Sequence, residues 1–310
     1  MDGTGVATIA GTELSHRLVG EGSAAIVVTS ALGFASAEWW QLQDTLARSA
    51  RVLTWDRPGY GESGPPRTPR TSANIAAEAL ALVDHLQLGD RLILVGHSQG
   101  GLYTNGLARL AASRVSAVVL LDPLHPDNAR FRRELSPALY TASGVDKTKN
   151  LRLGRRLAKL HATGTFRSAV MKGPPFLYSA AHSEEARNAM WKHLTRPLGY
   201  EIALQEVEES ERDATPAALD AVGSFPPVPL RILVHTPTVV IAEMQKYGGT
   251  SREDGERIET IWRRLFEELL ALSPRSSLAE APDSGHFIHL QQPTWTTEQI
   301  ESVLSESGAV

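Results

Sequence analysis

A serine lies between two glycines in the segment Gly96-His97-Ser98-Gln99-Gly100, which has the pattern G-x-S-x-G. The apolar run Leu92–Val95 precedes this segment, and a stretch with helical spacing follows it. A serine at such a strand–turn–helix junction is held at the edge of a sheet with its hydroxyl exposed. The N–H of Gln99 would lie at the helix N-terminus, where it can stabilise an oxyanion. The motif therefore predicts that Ser98 is a nucleophile.

A serine hydroxyl is a weak nucleophile, so a second residue must accept its proton. His286 lies near the C-terminus in Ser284-Gly285-His286-Phe287, after the last strand pattern. In hydrolases whose serine sits at a strand–turn–helix junction, the histidine follows both the serine and the acid along the chain. We therefore expect His286 to be the base, and His97, beside the serine, to be structural. Surface or core positions are expected for His16, His85, His161, His182 and His193.

Strand and helix patterns alternate through the first 122 residues. The run Ala25–Val28 is typical of a strand that is covered on both faces. Strand patterns return at residues 228–235 and 277–280, and the intervening pattern is helical. The sequence therefore predicts an α/β core, residues 1–122 and 226–310, built on a mostly parallel sheet with helices on both faces. Residues 123–225 are predicted to form a helical insertion.

Three motifs in this order make the chain similar to the α/β-hydrolase superfamily, in its capped, serine-nucleophile form. They are Asp56-Arg57-Pro58-Gly59-Tyr60-Gly61-Glu62-Ser63, then residues 96–101, then Gly285-His286-Phe287 followed by Pro293. The resemblance covers residues of about 10–122 and 228–305. It implies an α/β-hydrolase fold in which the insertion is a cap over the active site.

The resemblance leaves the third catalytic residue open. Most members of the superfamily carry an Asp shortly after the seventh strand, but here no carboxylate follows Arg231–His235 until Glu243. Asp122 ends the sixth strand, a position from which some relatives supply the acid. A carboxylate there can hold the imidazole tautomer that accepts the serine proton. We expect Asp122 to be the acid, with Glu243 and Asp127 as the alternatives.

The second oxyanion donor is expected in the loop after the third strand. Many members of the superfamily have His-Gly there, whereas this chain has Ser30-Ala31. Because the donor is a main-chain N–H, the amide of Leu32 can still serve beside that of Gln99.

Composition excludes several classes of function. Arg and Lys number 31 against 35 Asp and Glu, for a net charge of −4, which does not favour a nucleic-acid partner. The chain has no cysteine, which excludes disulfides and thiolate metal sites. The pattern G-x-G-x-x-G at residues 59–64 is followed by Pro65-Pro66 rather than a helix. We expect neither a cofactor nor a metal, no membrane span or signal peptide, and a cytoplasmic location.

These observations favour a serine hydrolase that acts on an ester-like or other acyl compound. Thioester, lactone and carbon–carbon hydrolysis use the same residues, whereas epoxide and haloalkane hydrolysis require a carboxylate where Ser98 stands. The alternatives are an acyltransferase or tailoring enzyme and a ligand-binding protein that uses a pocket under the cap. The expected partner is an apolar small molecule, and the oligomeric state stays open. Aromatic residues of the insertion that are candidates to line the pocket are Phe166, Phe176, Tyr178, Trp191 and Tyr200.

Overall fold

The computed structural model describes residues 3–143, 145–159, 178 and 182–308. Within these residues, eight strands form one sheet in the order β1-β2-β4-β3-β5-β6-β7-β8. The strands are β1 (Gly3–Ile9), β2 (Thr12–Val19), β3 (Ala25–Thr29), β4 (Arg51–Trp55), β5 (Leu92–His97), β6 (Val115–Leu121), β7 (Leu230–Val234) and β8 (Ser276–Glu280). From β4 to β8 neighbouring strands are parallel, while β2 pairs antiparallel with both β1 and β4. The mostly parallel sheet predicted from the sequence is confirmed.

Helices cover both faces of the sheet. The α-helices of the core are α1 (Trp40–Leu46), α2 (Ser72–His85), α3 (Gln99–Leu110), α10 (Pro237–Glu243), α11 (Arg252–Glu268), α12 (Ile288–Gln291) and α13 (Pro293–Glu306). Those between β6 and β7 are α4 (Arg130–Glu134), α5 (Pro137–Ala142), α6 (Thr148–Lys159), α7 (Glu184–Leu194), α8 (Pro197–Ser210) and α9 (Thr215–Asp220). The described residues also include short 3₁₀ segments, Ser36–Trp39 and Leu269–Leu272, and a π-helical turn, Met244–Gly248.

The two faces of the sheet bury separate apolar layers. In β3, Ala25 and Val27 pack into the layer beneath α2 and α3, whereas Ile26 and Val28 pack into the layer beneath α1 and α13. Successive side chains of a strand point to opposite faces. Both faces of a central strand are therefore covered by apolar layers, which explains the continuous apolar runs in the sequence.

The opening strands are longer than the sequence predicts. Short apolar runs in the sequence indicate strands at residues 7–9 and 18–19, but β1 and β2 form a seven-pair hairpin from Gly3 to Leu18. The hairpin closes through Ala10 and Gly11, both with positive φ. Two residues of positive φ match the twist of a two-residue hairpin turn. The hairpin lies at the sheet edge and is partly exposed, so its strands contain polar residues such as Thr8 and Glu13. These residues interrupt the apolar pattern by which a strand is predicted from the sequence.

A buried ion pair joins the helical insertion to the core. Glu206, on α8, accepts hydrogen bonds from Arg57 Nε and Nη2, both at 3.1 Å, and from the Tyr60 hydroxyl at 2.9 Å. Arg57 and Glu206 are 1% and 0% exposed. Arg57 and Tyr60 belong to the loop after β4. Because neither charge is exposed to water, each needs the other to offset its desolvation cost. The ion pair therefore holds α8 against this loop.

Glu206→Gln should destabilise the fold strongly, because it leaves the Arg57 guanidinium buried without its counter-charge. Breaking a buried ion pair from one side typically costs about 3–5 kcal/mol. Urea unfolding measures this loss. The matched control is Glu201→Gln on the same helix, where the exposed partner is Lys159. That change should cost less than about 1 kcal/mol, and equal losses in the two variants would contradict the prediction.

Candidate active site

Ser98 occupies a strained turn between β5 and α3. Its φ of 54° and ψ of −124° lie outside the regions that non-glycine residues favour. The turn leaves no room for side chains around it, since a Cβ on Gly100 would collide with the carbonyl oxygens of Thr29 and Ser30. The half-buried Ser98 side chain is thereby held at the carboxyl edge of the sheet. The N–H of Gln99 begins α3 and has no acceptor within that helix.

The structure brings together Ser98, His286 and Asp122. His286 Nε2 lies 3.0 Å from Ser98 Oγ, and His286 Nδ1 lies 2.6 Å from Asp122 Oδ2. The His286 side chain is 32% exposed and that of Asp122 only 2%. An ionised carboxylate only accepts hydrogen bonds, so Nδ1 of His286 carries a proton. Nε2 of His286 is then the ring nitrogen that faces the Ser98 hydroxyl.

The backbone directs Asp122 towards His286. Asp122 follows β6 with a φ of 43°, a conformation that Asp tolerates better than most residues. Its N–H donates to the carbonyl of Leu233 on β7 at 2.7 Å. The carboxylate that His286 contacts is that of Asp122, while the two alternative acids have other hydrogen-bond partners. Glu243 accepts a hydrogen bond from the Tyr178 hydroxyl at 2.7 Å, and Asp127 pairs with Arg130 and Arg133.

Two residues that the sequence did not indicate lie behind Asp122. His235, directly after β7, donates from its backbone N–H and ring Nδ1 to Asp122 Oδ1, at 3.1 and 2.7 Å. Its Nε2 lies 2.7 Å from Glu259 Oε2 on α11. Burial opposes the charge of His235, but the carboxylates of Asp122 and Glu259 raise its pKa to about 9. Burial likewise opposes the charge of Asp122, yet His235 and His286 hold the pKa of Asp122 far below its usual value.

The loop that contains Leu32 is fixed on both sides of that residue. Arg57 donates to the carbonyl of Ser30 at 2.7 Å and to that of Ala31 at 2.9 Å. The N–H of Gly33 donates to the Tyr60 hydroxyl at 3.2 Å. The backbone around Leu32 is therefore positioned by the same two side chains that bind Glu206 of the insertion.

His193, on α7, binds two core loops and is a hydrogen-bonded core histidine, as expected. Its Nδ1 accepts from the N–H of Gly61 at 3.1 Å, and its Nε2 donates to the carbonyl of Gly33 at 2.9 Å. This pattern requires the neutral ring with its proton on Nε2. Burial lowers the pKa of His193 to about 4, which agrees with that tautomer.

Three buried residues behind the serine turn are close enough to share a metal ion. They are Glu38, His97 and His289, whose ligand atoms lie within 4.8 Å of one another. His97 also donates from Nε2 to the carbonyl of His286 at 2.8 Å, so it supports the backbone of the candidate base. Burial lowers the pKa of His97 to about 3 and raises that of Glu38 to about 8. At neutral pH this group therefore carries little charge. His286, three residues before His289, faces Ser98 instead.

Part of the predicted aromatic lining lies outside the described residues, namely Phe166 and Phe176. Trp191 and Tyr200 pack with Met190 and Leu194 in a small apolar cluster of the insertion. Tyr178 lies at a cavity of about 370 Å³, whose walls include Thr238, Val239, Ala242, Glu243, Lys246 and Tyr247.

Comparisons with known proteins agree with this architecture. The Alpha/beta hydrolase family matches residues 26–299. An AB hydrolase superfamily protein of Gibberella zeae is 23% identical over 87% of this chain and 83% of its own length. The structure of the epoxide hydrolase CorEH superposes with a TM-score of 0.70 at 15% identity, over 99% of both chains. A thermophilic esterase from Thermogutta terrifontis superposes with a TM-score of 0.63 at 20% identity, over 98% of both chains.

The chain therefore belongs to the alpha/beta hydrolase family and is an enzyme of the α/β-hydrolase type. At these identities the two structural neighbours establish the fold, and their different reactions do not choose between substrates. Within the described ranges, none of the helices combines the length and apolar character needed to cross a membrane.

His193 should lower the stability of the fold as the pH drops from about 6.5 to about 4. In the unfolded chain His193 takes up a proton near pH 6.5, whereas the folded ring resists it down to about pH 4. The unfolded state therefore binds more protons in this range, and acid favours unfolding by at most about 3 kcal/mol from this residue. Burial lowers the pKa of His97 and His125 too, so they act in the same direction.

The measurement is urea unfolding at a series of pH values from 4 to 7. His193→Gln offers the same acceptor and donor without titrating, so its stability should depend less on pH. His85→Gln, at an exposed position, should keep the dependence of the unchanged chain. An identical slope for His193→Gln and the unchanged chain would show that His193 titrates normally in the fold.

Proposed function

We propose that this protein is a serine hydrolase that cleaves an ester-like acyl compound through an acyl-enzyme intermediate. The observation that carries the proposal is the continuous hydrogen-bond path from Ser98 Oγ through His286 to Asp122, with distances of 3.0 and 2.6 Å. A nucleophile, a base that can take its proton and a carboxylate that orients the base are the parts that acyl transfer requires.

Each group has a defined role in the proposed reaction. Ser98 Oγ attacks the acyl carbon while Nε2 of His286 takes the hydroxyl proton. The former carbonyl oxygen carries the negative charge and accepts hydrogen bonds from the amides of Gln99 and Leu32. When the intermediate collapses, the leaving alcohol takes the proton from His286, and the acyl group stays on Ser98. Water then attacks the acyl-enzyme, gives a proton to His286 and releases the acid, and Ser98 regains its hydrogen.

Asp122 acts on His286 rather than on the substrate. Its carboxylate holds the proton on Nδ1, so Nε2 is free to accept. It also stabilises the imidazolium that forms after proton transfer. Serine at position 98 favours this route over epoxide opening, because the latter uses a carboxylate nucleophile.

The insertion contributes the walls of the proposed substrate site. Its helix α8 brings Ile202 and Ala203 against Tyr60 and Leu32, next to the proposed oxyanion donor. These contacts are apolar, and they support an apolar acyl or alcohol group as the substrate. The insertion is then the cap of a capped hydrolase.

A fluorophosphonate should label the protein once, on Ser98. Phosphonylation requires the same activated oxygen and releases fluoride, so intact mass reports it without knowledge of the substrate. Ser98→Ala should abolish both labelling and turnover of a panel of acyl esters, while Ser305→Ala, on an exposed turn of α13, should change neither. His286→Ala should cause a similar loss, and the two losses should not add, because the residues act as a unit. Turnover that survives in purified Ser98→Ala would refute the hydrolase proposal.

Asp122→Asn should lower kcat by as much as about 10⁴-fold with little change in KM. A neutral amide can bind the wrong imidazole tautomer and cannot stabilise the imidazolium. Glu243→Gln and Asp127→Asn, which remove the two alternative acids, should be nearly silent. If Glu243→Gln were the damaging change and Asp122→Asn the mild one, the acid would lie after β7 instead. Steady-state kinetics with one ester substrate distinguishes these outcomes.

A further inference from the structure

His235 is placed where it can act on the proposed acid without touching substrate. It directly follows β7, next to β6, so its ring lies beside the end of the strand that carries Asp122. Both its backbone N–H and its ring Nδ1 donate to Asp122 Oδ1, at 3.1 and 2.7 Å. Oδ2 is left to accept from His286 at 2.6 Å. One carboxylate therefore binds two histidines, one on each oxygen.

The surroundings of His235 require a doubly protonated ring. Each ring nitrogen lies 2.7 Å from a carboxylate oxygen, Nδ1 from Asp122 and Nε2 from Glu259. Ionised carboxylates only accept, so both nitrogens must donate. Arg263 completes the group, with its Nε 2.6 Å from Glu259 Oε1. From Asp122 through His235 and Glu259 to Arg263, each charged side chain thus contacts one of opposite sign.

We propose that His235 is a positioning residue which, as a buried imidazolium, fixes Asp122 and offsets its charge so that His286 remains an unprotonated base. This inference rests on the proposed function, because it assigns His235 a role in that same site. Without a positive charge at position 235, the full charge of Asp122 would act on His286. His286 would then hold a proton at higher pH and would fail to activate Ser98 there.

Several charged and titratable groups surround the two histidines. His286 contacts Asp122 and Ser98, and its ring centroid lies 4.8 Å from that of His97. The buried His289 is also near enough to interact with His286 electrostatically, and the Glu243 carboxylate lies close to the preceding Gly285. His235 faces Asp122 and Glu259, and Arg263 donates to its carbonyl. The rings of Trp262 and Phe266 cover it, at 5.3 and 5.7 Å between centroids. Among these groups His235 is the cation in direct contact with Asp122, apart from His286 itself when protonated.

The first test measures the rate of fluorophosphonate labelling of Ser98 from pH 5 to 9. His235→Gln keeps a hydrogen-bond donor but removes the charge, and His235→Lys restores a positive charge of similar reach. In His235→Gln the pH of half-maximal labelling should rise by about 1 unit, because a positive charge separated from His286 by one carboxylate is removed. The rate on the acid side would then fall about tenfold. His235→Lys should return the half-maximal pH towards that of the unchanged enzyme.

A merely structural role predicts a different result. It would lower the plateau rate in both variants and leave the half-maximal pH where it was, and that outcome would overturn the inference. If the unchanged enzyme were not labelled at all, the proposed function itself would fail. The second test then still decides the charge of His235.

The second test uses the unchanged, ¹⁵N-histidine-labelled protein and needs neither activity nor a stable His235 variant. NMR should show one ring with both nitrogens protonated up to about pH 9, well above the normal histidine range. Glu259→Gln should lower the pH at which that ring loses its second proton, which assigns the signal to His235. Glu268→Gln on the same helix, whose partner is Arg130, should leave it unchanged. A neutral His235 ring at pH 7 would overturn the inference.

Discussion

The site depends on one buried carboxylate that is shared between two histidines. Asp122 is almost fully enclosed, and a bare charge there would be prohibitively costly without compensation. His235 and His286 divide its two oxygens between them, so the same bonds that make the charge tolerable also fix both rings. Because His286 is held in one tautomer, its remaining nitrogen points to Ser98. In the proposed reaction Ser98 needs a base at the position of His286, and the His286 ring would not be held in one orientation without Asp122.

The helical insertion extends this arrangement to the loop around Leu32. Arg57 and Tyr60 bind Glu206 of the insertion and also bind the backbone of residues 30, 31 and 33. His193 adds a second link, to Gly33 and Gly61. The backbone amide proposed to stabilise the oxyanion is thus held by groups that already have their hydrogen bonds before substrate arrives. Such preorganisation is the main source of electrostatic catalysis, because no reorientation is needed during the reaction.

The sequence predicted those parts whose signal is local or ordered along the chain. Ser98 stands in a short motif between a strand and a helix, and the position of His286 after the last strand pattern made it the candidate base among ten histidines. Asp122 was inferred from the end of an apolar run, and the structure places it beside His286. His235 and Glu259 were missed because they lie 113 and 137 positions from Asp122 and form no motif with it. Glu259 lies on a helix that also carries many exposed charged residues, and its burial depends on tertiary packing that the sequence does not show. The cap aromatics Phe166 and Phe176 lie outside the described residues.

The left-handed backbone at Asp122 bears on how this site can change during evolution. A φ of 43° suits Asp or Asn but is strained for Glu and most other residues. Replacement of Asp122 by the longer Glu is therefore disfavoured at this position. An arrangement with the acid after the seventh strand would have to arise by placing a new carboxylate there. A carboxylate in place of His235 would lie close to both Asp122 and Glu259. Three negative charges would then share one buried space. Moving the carboxylate from the end of β6 to the end of β7 would therefore require several substitutions together, because each single change would cost stability.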